Sequence, residues 1–458
     1  MKDKKLVKEV LYISLPAVSE MILYMFISVF DTMLIGLYGG QTAVSAVGLS
    51  NEIMFSLSSV FIDLGVAISI TSIVARKYGA GYKAEADQYA SMGLSIAIIV
   101  SFALCYLLFC FCPTILSIAG AKKAVLSLGT NYMRLALLGL FFKMLSTTMD
   151  SIIRGYGNTR TPLLVSTIIC IINLSLDYLL IFGNLGFPEL GVMGSAVSML
   201  VAQICGFTFV VFYTLNLSKI KIHINFMLKF QLSKLKELIS LAVPTSLEEA
   251  VFSLSRLLSL SMILHTGTTA FASNQIATTI ESISFMQGMG FAAAATTLVG
   301  IKIGERNYIR AQQYGNACAF LGGIAMTICG IIFFLFPGNL IQLFLHEKEA
   351  SVIYYGTLCL MVGSVEQPFI AASLIYAGAL KGYGDTKTPF VISLITCWLI
   401  RIPLMYYFIY LGRASVVYAW CITIIQWCAD GLLMFIFFER KFKKNKFRNN
   451  YSKRRLNL

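Results

Sequence analysis

Charge is scarce in this sequence. Asp, Glu, Lys and Arg make up 13% of 458 residues, against about 25% in ordinary soluble domains. Most of the chain is therefore solvated by lipid rather than water. Histidine is nearly absent: His223, His265 and His346 stand far apart in the sequence. The 11 cysteines lie almost entirely inside apolar runs, no CxxC occurs, and the tightest pair is Cys110 and Cys112. They read as small buried hydrophobes, not as metal ligands or disulfides. No zinc or haem site and no cofactor is expected. The longest loop is basic and carries no catalytic His or carboxylate motif, which argues against a membrane-embedded acyl or glycosyl transferase. A channel would need a repeated filter sequence, and none is present.

What the sequence has is long apolar runs. A helix needs about 20 apolar residues to cross a ~30 Å hydrocarbon core. Twelve runs qualify: 9–37, 44–75, 88–116, 126–153, 162–183, 191–216, 235–265, 270–300, 311–336, 351–380, 389–412 and 415–438. The net charge of +14 would suggest nucleic acid on a soluble chain. Here the basic residues sort by loop instead. With the amino terminus inside, Lys122, Lys123, Lys348 and Arg413 fall in external loops, Arg134, Lys143, Arg256 and Arg401 within spans, and all other Lys and Arg on the inner side. This bias predicts that both termini are cytoplasmic, in a plasma membrane. It leaves membrane lipid, not nucleic acid, as the partner of the basic tail. Lys2, Lys4, Lys5 and Lys8 before an apolar run imitate a signal peptide. That run is too long for one and more spans follow, so it reads as an uncleaved first span.

The second half echoes the first. RGYGNTRTP at 154–162 returns as KGYGDTKTP at 381–389. ISLPAVSE at 13–20 returns as LAVPTSLE at 241–248, and the stretch 75–90 returns at 300–315. Three blocks in one order, offset by 225 to 228 residues, predict an all-α membrane protein of twelve helices in two six-helix lobes. Six spans per lobe give both the same orientation, related by a pseudo-twofold axis along the membrane normal. The expected division is an amino-terminal lobe at 1–216, a cytoplasmic connector at 217–234, a second lobe at 235–438 and a basic tail at 439–458. In GYGxTxTP the glycines and threonines end one helix and the proline suits the first turn of the next, so each copy is a cytoplasmic hairpin. Arg154, Arg160, Lys381 and Lys387 are expected to hold these hairpins on the inner face.

A carboxylate at mid-membrane costs about 2.5–3.5 kcal/mol on insertion scales, so acids there are paired or functional. The candidates are Glu20, Asp31, Asp63, Asp150, Asp177, Glu248, Glu249, Glu281, Glu366 and Asp430. Asp31 and Asp177 fall at similar depth in the outer half. Asn173, one turn before Asp177, shares its face. Two carboxyls and an amide oxygen make a hard-oxygen site for a small cation, or for a carboxyl that trades a proton. The alternative for Asp177 is a pair with Lys143. Glu20, three turns before Asp31, continues the same track or serves a structural bond beside Pro16. Glu248, Glu249, Glu281 and Glu366 are candidates for attracting a cationic substrate or for gating. The repeat carries Asn173 to Ile400, Asp177 to Leu404 and Asp31 to Ser259, so the second lobe lacks these ligands. It has instead Arg401, expected to pair with Glu366 at similar depth.

The proline of span 1, VFDTMLIG, the glycine-rich loop after span 2, RGYGNTRTP followed by NLSLDYLLIFG, and GVMGSAVSM at span 6 resemble the multidrug and toxic compound extrusion family over residues 10 to 438. The resemblance implies a V-shaped pair of bundles that exports organic cations and other drugs in exchange for protons or sodium ions. It places cation coupling at Asp31, Asn173 and Asp177. Where the family motif GVxGAAxAT ends in Thr, this chain has Met199, leaving Ser198 or Ser195 to supply that oxygen and leaning the expectation toward protons. The expectation is therefore a monomeric antiporter, not an enzyme, working by alternating access on small organic cations. The alternative is a flippase for lipid-linked saccharides from the same superfamily. Its cavity would need cations to meet pyrophosphate, whereas here the acids in the spans outnumber the bases.

Overall fold

The computed structural model describes residues 4–121, 123–218, 220–223, 226–227, 231–344 and 350–456, without the side chains of Gln41, Lys123 and 444–456. Lys122, His346, Lys348, parts of the connector and the last two residues of the tail lie outside the described residues. The described residues form helices and turns with no strand. We label the long helices α1 (Lys4–Gly40), α2 (Thr42–Gly79), α3 (Lys83–Ile118), α4 (Lys123–Gly155), α5 (Arg160–Phe182), α6 (Val192–Asn216), α7 (Leu232–Thr266), α8 (Thr268–Gly304), α9 (Tyr308–Leu335), α10 (Ala350–Tyr383), α11 (Lys387–Leu411) and α12 (Val416–Leu456). Among the described residues, eleven are long and apolar enough to span a membrane. The other, α7, matches the expected span at 235–265 in length, but Glu249, Arg256 and several serines dilute its apolar stretch.

The GYG motifs fold as their composition predicts. Gly157 (φ 82°) and Gly384 (φ 93°) adopt the left-handed conformation that ends α4 and α10. The next residue caps the following helix. Asn158 Oδ1 accepts from the backbone N–H of Arg160 and Thr161 (3.0 and 3.2 Å), and Asp385 Oδ1 accepts from Thr388 N–H (3.1 Å). Pro162 and Pro389 sit in the first turns. Burial opposes ionisation of Asp385, but hydrogen bonds from Lys441 (2.5 Å) and Thr388 outweigh it and hold the carboxyl below its usual range. Three π-helical stretches interrupt the regular helices: Ser59–Val66 in α2, and Thr396–Arg401 and Met405–Leu411 flanking Pro403 in α11.

Chain contacts define two compact units. One comprises Ser19–Tyr78 and Tyr82–Ser246; the other comprises the chain through Val18, Gly79–Gly81 and Leu247–Leu458. Each unit thus holds the main body of one repeat and the first turns of the other repeat's leading helix. In the first unit, Leu238 and Leu241 of α7 join a core with Ile70, Ile73 and Ala90. In the second, Val10 and Ile13 of α1 join Phe291, Leu298 and Tyr314. Val10 and Ile13 map onto Leu238 and Leu241 at the repeat offset, and both changeovers fall two residues beyond Pro16 and Pro244. A matched hydrogen bond accompanies each segment: Tyr314 donates to Glu9 in one unit, Tyr89 to Glu237 in the other. These partners too are repeat equivalents.

Small residues let the helices within each unit approach closely. Thr71 Oγ1 of α2 donates to Ser151 O of α4, and Thr296 Oγ1 of α8 to Gly378 O of α10, both at 2.9 Å. One turn on, a Cβ on Gly382 would stand 2.4 Å from the Thr296 carbonyl oxygen. Gly382→Ala is therefore expected to destabilise the protein by about 1–3 kcal/mol through overpacking. Gly323→Ala, with nothing within 4 Å, should be neutral or stabilising. Thermal unfolding of the two variants in detergent checks the contrast.

Candidate ion-coupling site

The first unit gathers these polar side chains toward the carboxyl-terminal ends of α1 and α5 and the amino-terminal end of α6. Asn173 and Asp177 project one turn apart from α5 and are both buried; Asp177 is 0% exposed. Gly194 lets the start of α6 close on α5, since a Cβ there would lie 2.7 Å from the backbone of Leu180. That approach carries Ser195 and Ser198, on one face of α6, alongside Asp177. Ser195 Oγ donates to Asp31 Oδ1 of α1 at 2.5 Å, while Ser198 Oγ donates to Gly194 O at 2.9 Å and lies beside Asp177. Tyr132 of α4 donates to Asn51 Oδ1 at 3.2 Å and lies within electrostatic range of both Asp31 and Asp177.

Asp31, Asn173, Asp177 and Ser198 therefore come together. Both Asp177 carboxyl oxygens and Asn173 Oδ1 are buried without a hydrogen-bond partner in the protein. Buried polar atoms are normally satisfied, so three orphan oxygens from residues one turn apart on α5 suit something positive. Oxygens of this kind suit a sodium ion; the same carboxyls suit a proton. Met199 packs its side chain toward Gly139 of α4. Of the two serines weighed for the missing threonine, Ser195 contacts Asp31. Lys143 does not pair with Asp177. Its ammonium lies 4.0 Å from Asp63, in the π-helical turn of α2.

The remaining candidates form separate clusters. Glu20 accepts two hydrogen bonds from Arg154 Nη1, at 2.9 and 3.1 Å. Glu248 accepts from Lys381 Nζ at 2.9 Å. Glu249 accepts from Ser253 at 3.0 Å, and Glu281 from Gln367 Nε2 at 3.1 Å. The expected Glu366–Arg401 ion pair is not formed: among the ion pairs of the described residues, none within 4.0 Å joins them. Glu366 is buried beside Glu281, and Arg401 lies in longer electrostatic range of both. Arg401 closes the π turn Thr396–Arg401, where regular helical spacing does not apply.

Sequence reasoning missed Arg154 and Lys381, which it left on the inner surface but which are buried in ion pairs. The signal was available. Glu20 matches Glu248 and Arg154 matches Lys381 in the repeat, so a contact in one half implies the other. It also missed the acceptor role of Asp430, whose oxygens receive Ser373 Oγ (3.3 Å) and Thr396 Oγ1 (2.9 Å).

Comparison with known proteins gives this architecture a family. The MatE family model matches twice, over residues 16–179 and 244–407, once in each repeat. The chain belongs to the MatE family. This MatE protein is thus a multi-pass membrane transporter rather than an enzyme. It is 29% identical over 431 residues to a probable multidrug resistance protein NorM of Thermotoga maritima, covering 94% of this chain and 92% of that protein. It is 25% identical to the uncharacterized transporter YisQ of Bacillus subtilis, covering 92% and 91%. Among solved structures, an outward-facing multidrug resistance MATE transporter of the MOP superfamily superposes with a TM-score of 0.88 at 19% identity, over 97% of this chain and 99% of that one. A MOP superfamily transporter from Pyrococcus furiosus superposes with a TM-score of 0.89 at 20% identity, over the same shares.

Proposed function

We propose that this MatE protein is a secondary antiporter that exports organic cations in exchange for protons or sodium ions by alternating access. The observation that carries the reading is the set of buried, unpartnered oxygens of Asn173 and Asp177 beside Asp31. A proton or sodium ion arriving there neutralises a carboxyl that the protein itself leaves uncompensated. Neutralisation changes which packing of α1, α5 and α6 is favoured, and that difference is what an ion gradient can drive. In the second unit, Glu248, Glu249, Glu281 and Glu366 supply negative charge for a cationic drug, against Arg256, Lys381 and Arg401. Drug export would also account for the multidrug resistance in the name of the Thermotoga relative. Membrane lipid is the other partner, and the working unit is a monomer in the plasma membrane.

The test is transport in proteoliposomes under separately imposed proton and sodium gradients. Accumulation of a fluorescent organic cation driven by one of them is expected. Failure of both gradients, with translocation of an anionic lipid-linked saccharide instead, would favour the flippase.

Both termini and both GYG hairpins are assigned to the cytoplasm. Arg160→Cys and Lys387→Cys place thiols at exposed, repeat-equivalent positions of those hairpins. An impermeant thiol reagent outside sealed cells is expected to leave both unmodified and to label them after lysis. Labelling of either in sealed cells would reverse the topology.

A further inference from the structure

Away from the Asp31–Asp177 site, the first unit buries a second group of acids. Glu20 and Tyr24 lie one turn apart on α1, and Asp150 and Arg154 one turn apart on α4. Glu20 is 11 residues before Asp31, roughly 16 Å along the helix, so the two groups are distinct. Arg154 Nη1 is committed to both Glu20 oxygens, and Nη2 donates to Ser151 Oγ at 3.0 Å. Asp150 lies within electrostatic range of both Glu20 and Arg154, yet neither of its carboxyl oxygens has a hydrogen-bond partner and the residue is 1% exposed. The charges acting on it are Glu20 from α1 and Arg154 from its own helix. α2 contributes Asp63, which acts on Tyr24 and is itself placed near Lys143. Among the described residues, no charge from α3, α5 or α6 acts on Asp150.

Two carboxyls therefore share one guanidinium. With both ionised, the triad would bury a net negative charge and strand Asp150 without a donor, an arrangement low-dielectric surroundings penalise heavily. One proton makes the triad neutral. We infer that Glu20, Asp150 and Arg154 form a second proton-binding site, holding one exchangeable proton that sits on Asp150 while Arg154 is engaged with Glu20. When the guanidinium swings to Asp150, the proton leaves that carboxyl for Glu20 or for water, and the positive charge takes its place. In the second repeat Glu248 and Lys381 preserve the ion pair and Ala377 occupies the position of Asp150; the nearby buried acid there is Asp430 of α12, whose oxygens, unlike those of Asp150, are engaged by Ser373 and Thr396. The extra acid belongs to the repeat that also carries Asp31 and Asp177. The assignment stands on this triad alone and does not require the ion-coupling reading above.

Infrared difference spectroscopy of the purified full-length protein, titrated in detergent from acid to alkaline pH, tests it. The wild type is expected to show a protonated-carboxyl C=O band that is absent from Asp150→Asn and retained in Asp31→Asn. Alkaline titration of Asp150→Asn should release one proton fewer per molecule. Glu20→Gln should also lose the band without alteration of Asp150, because Arg154 is then free to pair with an ionised Asp150. An Asp150→Asn spectrum and proton count identical to wild type would overturn the assignment. So would a Glu20→Gln protein that retains the Asp150 band, an outcome readable even if Asp150→Asn fails to fold.

Discussion

Replacing Asp177 with Asn is expected to abolish ion-driven efflux while leaving the protein folded and inserted. The side chain is fully buried and neither carboxyl oxygen is engaged by the protein, so the amide removes charge without removing volume or a structural bond. A buried carboxylate without a donor is a liability for folding. The variant should therefore melt at or above the wild-type temperature. Its transport should fall at least a hundredfold, a loss of roughly 2.8 kcal/mol in coupling at about 1.4 kcal/mol per tenfold. Asp31→Asn should give a similar loss of transport. There the amide oxygen can still accept from Ser195, whose hydroxyl now sits 2.5 Å from the carboxyl, so stability should again be kept. The opposed signs on stability and activity separate a functional carboxyl from a structural one. Drug resistance at matched expression, with thermal unfolding of the same preparations, measures both. Wild-type resistance in both variants would remove this site from the mechanism.

The parts of the molecule legible in the sequence were those governed by local physics. Apolar run length sets helix number, and α7 was found although Glu249 and Arg256 interrupt it. Gly157, Asn158 and Pro162 encode a turn, a cap and a helix start within six residues, and so do Gly384, Asp385 and Pro389. Asn173 and Asp177 share a face because they are one regular turn apart. Contacts between helices were less legible. Glu366 and Arg401 agree in depth, but depth says nothing about rotation, and the π turn ending at Arg401 breaks the 3.6-residue arithmetic. Arg154 and Lys381 occupy last turns, where basic residues ordinarily reach toward water. Only the partner helix decides that they turn inward. The placement of the starts of α1 and α7 in the other repeat's unit had no local signal. Glu9 and Glu237 look like ordinary amphipathic acids until Tyr314 and Tyr89 are seen to meet them.

The matched ion pairs make a sharper prediction, because Asp150 beside the first pair is replaced by Ala377 beside the second, where the other nearby acid, Asp430, is already engaged by Ser373 and Thr396. Glu248→Gln takes the carboxylate away from Lys381, a residue buried at the end of α10 and bonded to it at 2.9 Å. Glu249 is poorly placed to replace it. The next residue on a helix points about 100° away, and its carboxyl is held by Ser253. Breaking a buried pair from one side typically costs about 3–5 kcal/mol, while removing both charges is often near neutral. Glu248→Gln should therefore depress stability by that amount, and Glu248→Gln with Lys381→Met should restore most of it. The same change in the first repeat has a built-in substitute. Asp150 stands one turn from Arg154 on α4, with both oxygens unengaged. On Glu20→Gln it can ionise and accept the guanidinium, limiting the loss to roughly 1–3 kcal/mol, the scale of one lost hydrogen bond to a charged group. Adding Asp150→Asn to Glu20→Gln should remove that rescue and bring the penalty up to the level of Glu248→Gln. Unfolding midpoints of the variants in one detergent give the comparison directly. Equal penalties for Glu20→Gln and Glu248→Gln, with no further loss on adding Asp150→Asn, would mean that Asp150 does not reach the guanidinium.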